Sequence, residues 1–186
     1  TTTTTTLPPS TFGGGFLGGG SGDPTYDLVS AVSGSGAVNW DAGANGDPGL
    51  TLSPDPGGLV EISAPHVGAW RTTATDDIVL SGRGSLRLFV AVAGFDTDRF
   101  GGMLGGLVTC TAGITGCTTI GQGSAVFSQA SFGADFGELW IDLGQIDHTV
   151  PAGNSLVVTL AVPGSMTSDM WIAFGSSSHP SAFRLI

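Results

Sequence analysis

Apolar and polar residues alternate along most of this chain with a period of two. In GSLRLFVAVAGF, the residues Leu86, Leu88, Val90 and Val92 share one face. In GELWIDLG, Leu139, Ile141 and Leu143 face one way, and Glu138, Trp140 and Asp142 face the other. NSLVVTLAVPG adds a third stripe of Leu156, Val158, Leu160 and Val162. DMWIAFG contributes Met170, Ile172 and Phe174, and SAFRLI contributes Phe183 and Leu185. Earlier strands are predicted at 26–32, 50–53, 58–64, 69–75 and 76–82, and more around the two cysteines and in SAVFSQASF. No segment carries a helical period of useful length. GDP at 22–24, GDPG at 46–49, PDPGG at 54–58 and PAGN at 151–154 punctuate the pattern as turns. Residues 23–186 are therefore predicted to form an all-β domain, an antiparallel jelly-roll-like β-sandwich of about ten strands.

Residues 1–22, TTTTTTLPPSTFGGGFLGGGSG, read differently, and the boundary is placed near Gly22. Polythreonine and a Pro pair favour an extended arm. Leu7, Phe12, Phe16 and Leu17 are too apolar for a plain linker. In an extended chain Phe12, Gly14, Phe16 and Gly18 point one way, which suits β-strand addition to a sheet edge. Docked on a neighbouring copy, such an arm makes a heterologous contact that propagates into a filament or surface layer. Thr1, Thr2, Thr3, Thr4, Thr5, Thr6, Ser10 and Thr11 also suit O-glycosylation.

Composition narrows the function. Glycine is heavily used, at 32 residues, and charged residues are 11 % of the chain. The net charge is -10, with no lysine and five scattered arginines. Nucleic-acid binding needs clustered basic residues, so none is expected. No apolar run approaches the roughly 20 residues of a membrane helix, so no membrane insertion is expected. The chain starts at Thr1 rather than Met, which reads as a processed product or a fragment. Cys110 and Cys117 flank TAGITG, a hairpin tip, and are expected to form a disulfide. A disulfide favours an oxidising compartment, extracellular or at the cell surface.

Candidate chemistry is sparse. There is no G-x-S-x-G nucleophile elbow. Asp147, His148 and Ser178 are the residue types of a hydrolytic triad, and His66 and His179 complete the histidines. In so Ser- and Asp-rich a chain they read better as strand-end and loop residues, and no catalytic residue is assigned. Calcium is the one cofactor considered, on Asp41, Asn45 and Asp47 in DAGANGD and Asp96 and Asp98 in FDTD. The same residues read better as Asx-turns. Trp140 and Trp171 alternate against core stripes and so face outward, as a glycan platform or as a subunit interface.

Residues 76–186 resemble one jelly-roll family, the C-terminal domain of X-prolyl dipeptidyl peptidases and cocaine-esterase-like hydrolases. The resemblance rests on the strand Leu80–Val92, the turn Asp96–Asp98, the hairpin Pro151–Leu160 and the closing segment Ser177–Pro180. It implies a β-sandwich of accessory type, because in that family the nucleophile lies on a separate α/β domain. Two expectations follow. In the first, the chain is a non-enzymatic extracellular subunit that self-assembles through its arm. In the second, it is a carbohydrate-binding or accessory module of a secreted hydrolase, with residues 1–22 as linker.

Overall fold

The structure, a computed structural model, describes residues 4–5, 12–18, 25–30, 40–42, 48–52, 67–92, 95, 97–112, 115–166, 168–173 and 179–186, with side chains from residue 69 onward except at 72 and 115. The N-terminal strands are β1 (Thr4–Thr5), β2 (Phe12–Gly18), β3 (Thr25–Ser30), β4 (Trp40–Ala42) and β5 (Pro48–Leu52). The body of the fold comprises β6 (Val67–Thr73), β7 (Ile78–Val92), β8 (Phe100–Thr111), β9 (Thr115–Ser128), β10 (Gly137–Val150) and β11 (Ser155–Ala161). Two short strands, β12 (Met170–Ala173) and β13 (Ala182–Leu185), complete the chain. The described residues contain no α-helix; a 3-10 turn spans Gln129–Ser131.

Two layers face each other. One is built on β7, with β10 along one edge and β13 and β12 along the other. The second layer runs β9-β8-β11-β6. The predicted stripes meet between them. Leu86, Leu88 and Val90 of β7 and Ile141 of β10 pack with Met103, Leu107, Leu156, Val158, Leu160 and Trp70, all at 0 % exposure. Each such leucine contributes about 2 kcal/mol by leaving water.

The strands among the described residues number thirteen rather than about ten, for two reasons. Short paired segments such as β1 and β4 escape a pattern search. The opposite error occurs at 76–92, where two predicted strands are one, β7. Its GRG does not break the ladder, because β10 pairs across it. Gly82, at φ 149°, lies against the Ile186 carbonyl, and Arg83 exchanges two backbone hydrogen bonds with Ile186. The missing Cβ of Gly84 leaves room for Ile146. The strand predicted at 58–64 lies outside the described residues.

Among the described residues the pairing is antiparallel except at one place. β2 runs parallel to β6 and antiparallel to β3. It pairs with β3 over Gly14–Gly18 and with β6 at Phe12 and Gly14, and so joins the two layers. Of the residues singled out in the arm, Phe12, Phe16 and Leu17 belong to β2 and Thr4 and Thr5 to β1. Leu7, Thr1, Thr2, Thr3, Thr6, Ser10 and Thr11 lie outside the described residues.

On the other side β10 and β9 meet without forming a ladder. β10 carries a bulge between Asp142 and Gly144, where Gly144 adopts φ 81° and its N–H donates to Asp142 Oδ1 at 3.0 Å. The bent strand presses its backbone on β9. A Cβ on Gly123 would lie 2.0 Å from the Asp142 carbonyl oxygen, and one on Gly121 3.2 Å from that of Leu143.

Cys110 and Cys117 form the expected disulfide, with Cα atoms 4.0 Å apart. They pack with Ala69, Val108 and Val157 in a second cluster on the opposite face of β11 from the main core. β11 is buried at every position. Closing so short a loop is worth about 2.5 kcal/mol in the chain-entropy account.

Candidate binding face around Trp140

The outward face of the β7 layer follows from the same period of two. If Leu86, Leu88 and Val90 point inward, then Arg83, Ser85, Arg87, Phe89 and Ala91 point outward. Register supplies their neighbours. Trp140 lies opposite Arg87, Glu138 opposite Phe89, and Asp142 opposite Ser85. On the other edge Arg184 lies opposite Ser85, Ala182 opposite Arg87, and Trp171 opposite Ala91.

At the centre Glu138 is clamped. Arg87 donates to its Oε2 at 3.0 Å, and Trp140 Nε1 donates to its Oε1 at 2.5 Å. The Arg87 guanidinium holds the Glu138 carboxyl below the ordinary glutamate value, with the indole N–H adding to the effect against a modest desolvation. Arg87 and Arg184 each stand 5.9 Å from the Trp140 ring centroid, and Arg87 stands 4.9 Å from that of Phe89. The indole is thereby held in one orientation while 42 % of Trp140 stays exposed. One row away, Arg83 pairs with Asp142, donating from Nε at 3.1 Å. That hydrogen bond, with the Gly144 N–H, holds the Asp142 carboxyl low.

The depressed Glu138 gives a pH dependence. A carboxylate whose folded pKa is lowered stabilises the fold above its unfolded value, near 4.5, and that stabilisation is lost as pH falls through the lowered value. The emission of Trp140, read as the difference between the wild type and Trp140→Phe, is expected to change as pH falls below the ordinary glutamate value. Glu138→Gln should remove that change.

Trp171 lies on the same outward face as Trp140 but in different surroundings. The two are two strand spacings and four residues apart, about 16 Å on the diagonal. The Trp171 ring meets that of Phe95 edge-on at 5.5 Å, beside Phe136 and the buried Ala91 and Ala173. His179 packs between Phe89 and Phe136, with Nε2 3.8 Å from Asp135. Gln129, at 0 % exposure, anchors this end of the face. Its Oε1 accepts from Val92 N, and its Nε2 donates to the carbonyls of Gly133 and Asp135.

Of the residues considered for a hydrolytic triad, Asp147 lies opposite Ser81 in the β10–β7 ladder. His148 lies opposite Leu80, far along β10 from Glu138, and Ser178 is outside the described residues. Among the described residues no three His, Cys, Asp or Glu gather as metal ligands. Asp98 sits in an exposed turn and Asp41 in β4, while Asn45, Asp47 and Asp96 lie outside the described residues. A groove of about 450 Å³ opens on the other layer, lined by Leu104, Gly106, Thr119, Gln122, Ser124 and Thr159. Its lining carries no charged side chain.

Sequence reasoning found Trp140 and missed Ser85, Arg87, Glu138 and Arg184. The outward phase of β7 and β10 was there to be read. That β13 lies beside β7, bringing Arg184 to Ser85, has no local signal.

No protein-family model matches the sequence, and no curated protein matches it. Solved structures do match. An alpha-amino acid ester hydrolase aligns with TM-score 0.57 at 10 % identity, over 83 % of this chain and 33 % of that one. An aminopeptidase from a marine sediment Thaumarchaeota archaeon gives 0.52 at 13 %, over 66 % and 26 %. A CocE/NonD family hydrolase from Staphylococcus aureus gives 0.51 at 12 %, over 86 % and 38 %. The chain therefore spans between about a quarter and two fifths of the proteins it matches. At such identities the likeness is one of fold, and it agrees with the resemblance of residues 76–186 to cocaine-esterase-like hydrolases: this chain has a β-sandwich of the kind those hydrolases contain.

Proposed function

We propose that the chain is a non-catalytic accessory β-sandwich of a secreted hydrolase, and that its outward face at Trp140 holds a carbohydrate chain. One observation carries the reading: an exposed indole is fixed in place by its own N–H on Glu138. A sugar ring offers an apolar C–H face for such an indole and hydroxyls for a carboxylate and guanidinium at its rim. Both rim groups are already oriented by each other, so little side-chain freedom is lost on binding. The likeness to part of larger hydrolases supports an accessory role. The disulfide supports secretion. Self-assembly through the arm is the weaker reading, because β2 is already paired within the chain, with β3 over five residues and with β6 at Phe12 and Gly14.

Affinity electrophoresis through gels containing neutral and acidic polysaccharides tests this. At least one polysaccharide should retard the wild-type chain. Trp140→Ala should weaken that retardation about thirtyfold, the usual loss of a binding hot spot. Trp171→Ala should leave it nearly unchanged. A wild-type chain that no polysaccharide retards would remove the glycan reading.

A further inference from the structure

The arrangement at Trp140 is repeated next to it on the same face. In the first group an indole, a carboxylate and a guanidinium meet, in Trp140, Glu138 and Arg87. Glu138 lies directly opposite Phe89, where a ring, a carboxylate and an imidazole meet in turn. The imidazole of His179 stands edge-on to the Phe89 ring at 5.3 Å, and its Nε2 is 3.8 Å from Asp135 Oδ1. Phe89 and His179 are half-buried, while the Asp135 side chain is 63 % exposed. Arg87 joins the two groups, since its guanidinium stands over Phe89 and near Trp140.

The second group is held in place from below. Gln129 and Ser181 are both at 0 % exposure. Gln129 Nε2 donates to the carbonyls of Gly133 and Asp135, which fixes the turn that carries the Asp135 carboxylate. Asp135 Oδ1 also accepts from Phe136 N at 2.8 Å. Ser181 Oγ accepts from Phe89 N at 2.9 Å and donates to the Ala173 carbonyl. Two buried polar side chains thus hold the backbone of this one corner. Groups fixed in this way lose little freedom when a ligand meets them.

We propose that Phe89, His179 and Asp135 form a second sugar subsite beside Trp140, so that the ligand of this face is a stretch of linear glycan rather than a single terminal sugar. The proposal rests on the glycan reading above and adds the length of the ligand. A chain of like units meets a like arrangement at each step, and here two such arrangements adjoin. Trp140 and Phe89 are one strand and two residues apart, about 8 Å. A sugar on Trp140 covers the first arrangement, and its neighbour in the chain reaches the second. There Phe89 offers apolar surface, and His179 and Asp135 offer polar atoms for hydroxyls.

The experiment is isothermal titration of the whole chain with xylo-, cello- and manno-oligosaccharides of one to six residues. In at least one series the affinity should rise about tenfold or more from the monosaccharide to the tetrasaccharide. His179→Ala should weaken binding of the tetrasaccharide about tenfold and leave the monosaccharide unchanged, whereas Trp140→Ala should weaken both. Asp135→Asn keeps an acceptor for Phe136 N and should also weaken the tetrasaccharide alone. Thermal melts confirm that the variants are folded, and the wild-type length series stands without them. An affinity that does not rise with length overturns the second subsite and leaves the glycan reading standing. A rise that persists in both His179→Ala and Asp135→Asn has the same consequence. Failure of every series overturns the second subsite, and if no polysaccharide retards the chain either, the glycan reading falls with it.

Discussion

Gly123→Ala is expected to lower the melting temperature by at least about 10 °C, or to leave no cooperative transition at all. The added Cβ would sit 2.0 Å from the backbone carbonyl oxygen of Asp142. That oxygen has little freedom to move. Asp142 is held in the ladder opposite Ser85, immediately before the bulge that bends β10 toward β9. Its side chain is held by Arg83 and the Gly144 N–H. Separating the strands would also open the core beneath, where Ile141 and Leu143 are buried. Overpacking of this kind costs about 3 kcal/mol or more, against a total stability of about 5–15 kcal/mol. In a chain this long each kcal/mol shifts the midpoint by about 2–4 °C. Gly101→Ala is the informative comparison. Its Cβ would also meet an atom closer than contact distance, but that atom is the sulfur of Met170, on a flexible side chain. Its loss should be clearly smaller. Circular dichroism melts of both variants decide the matter, and equal midpoints would mean that β9 and β10 are not in backbone contact.

The same two strands show what a sequence can and cannot tell. Leu139, Ile141 and Leu143 were legible as a buried stripe because a strand alternates regardless of its partners. So was the outward side of Trp140. IGQGS gave no comparable sign. Its glycines resemble turn residues, yet Gly121 and Gly123 lie within β9 because another backbone passes over them. GRG in β7 misled in the same way. A glycine records only that a Cβ is unwelcome, and the cause is found in three dimensions. The binding face divides along the same line. Arg87, Trp140 and Glu138 follow from two adjacent strands, whereas the Ser85–Arg184 pairing depends on where the last strand joins the sheet. Cys110 and Cys117 were legible because a hairpin is local.

Deleting residues 1–22 should cost most of the stability of the domain. A spacer ahead of a folded module can be removed without effect. β2 is placed otherwise, between β3 and β6, where it links the layer containing β7 to the layer containing β11. Five of its residues pair with β3 and two with β6. At about 1 kcal/mol net for each backbone hydrogen bond, their loss amounts to about 5 kcal/mol, comparable with the stability of a whole small domain. The deletion also leaves β3 and β6 as open edges, which invites aggregation. Gly15→Pro separates the strand from the rest of the segment. It keeps the chain length, removes one N–H from the residue opposite Val29, and should cost about 3 kcal/mol. Chemical denaturation of both forms measures this, with size-exclusion chromatography to follow association. If both unfold at the wild-type denaturant concentration, residues 1–22 are a tether and the fold is complete without them. If both are destabilised while the wild type stays monomeric, the arm is a strand of its own domain, and the glycines in FGGGFLG serve to bring its backbone close to β3 and β6.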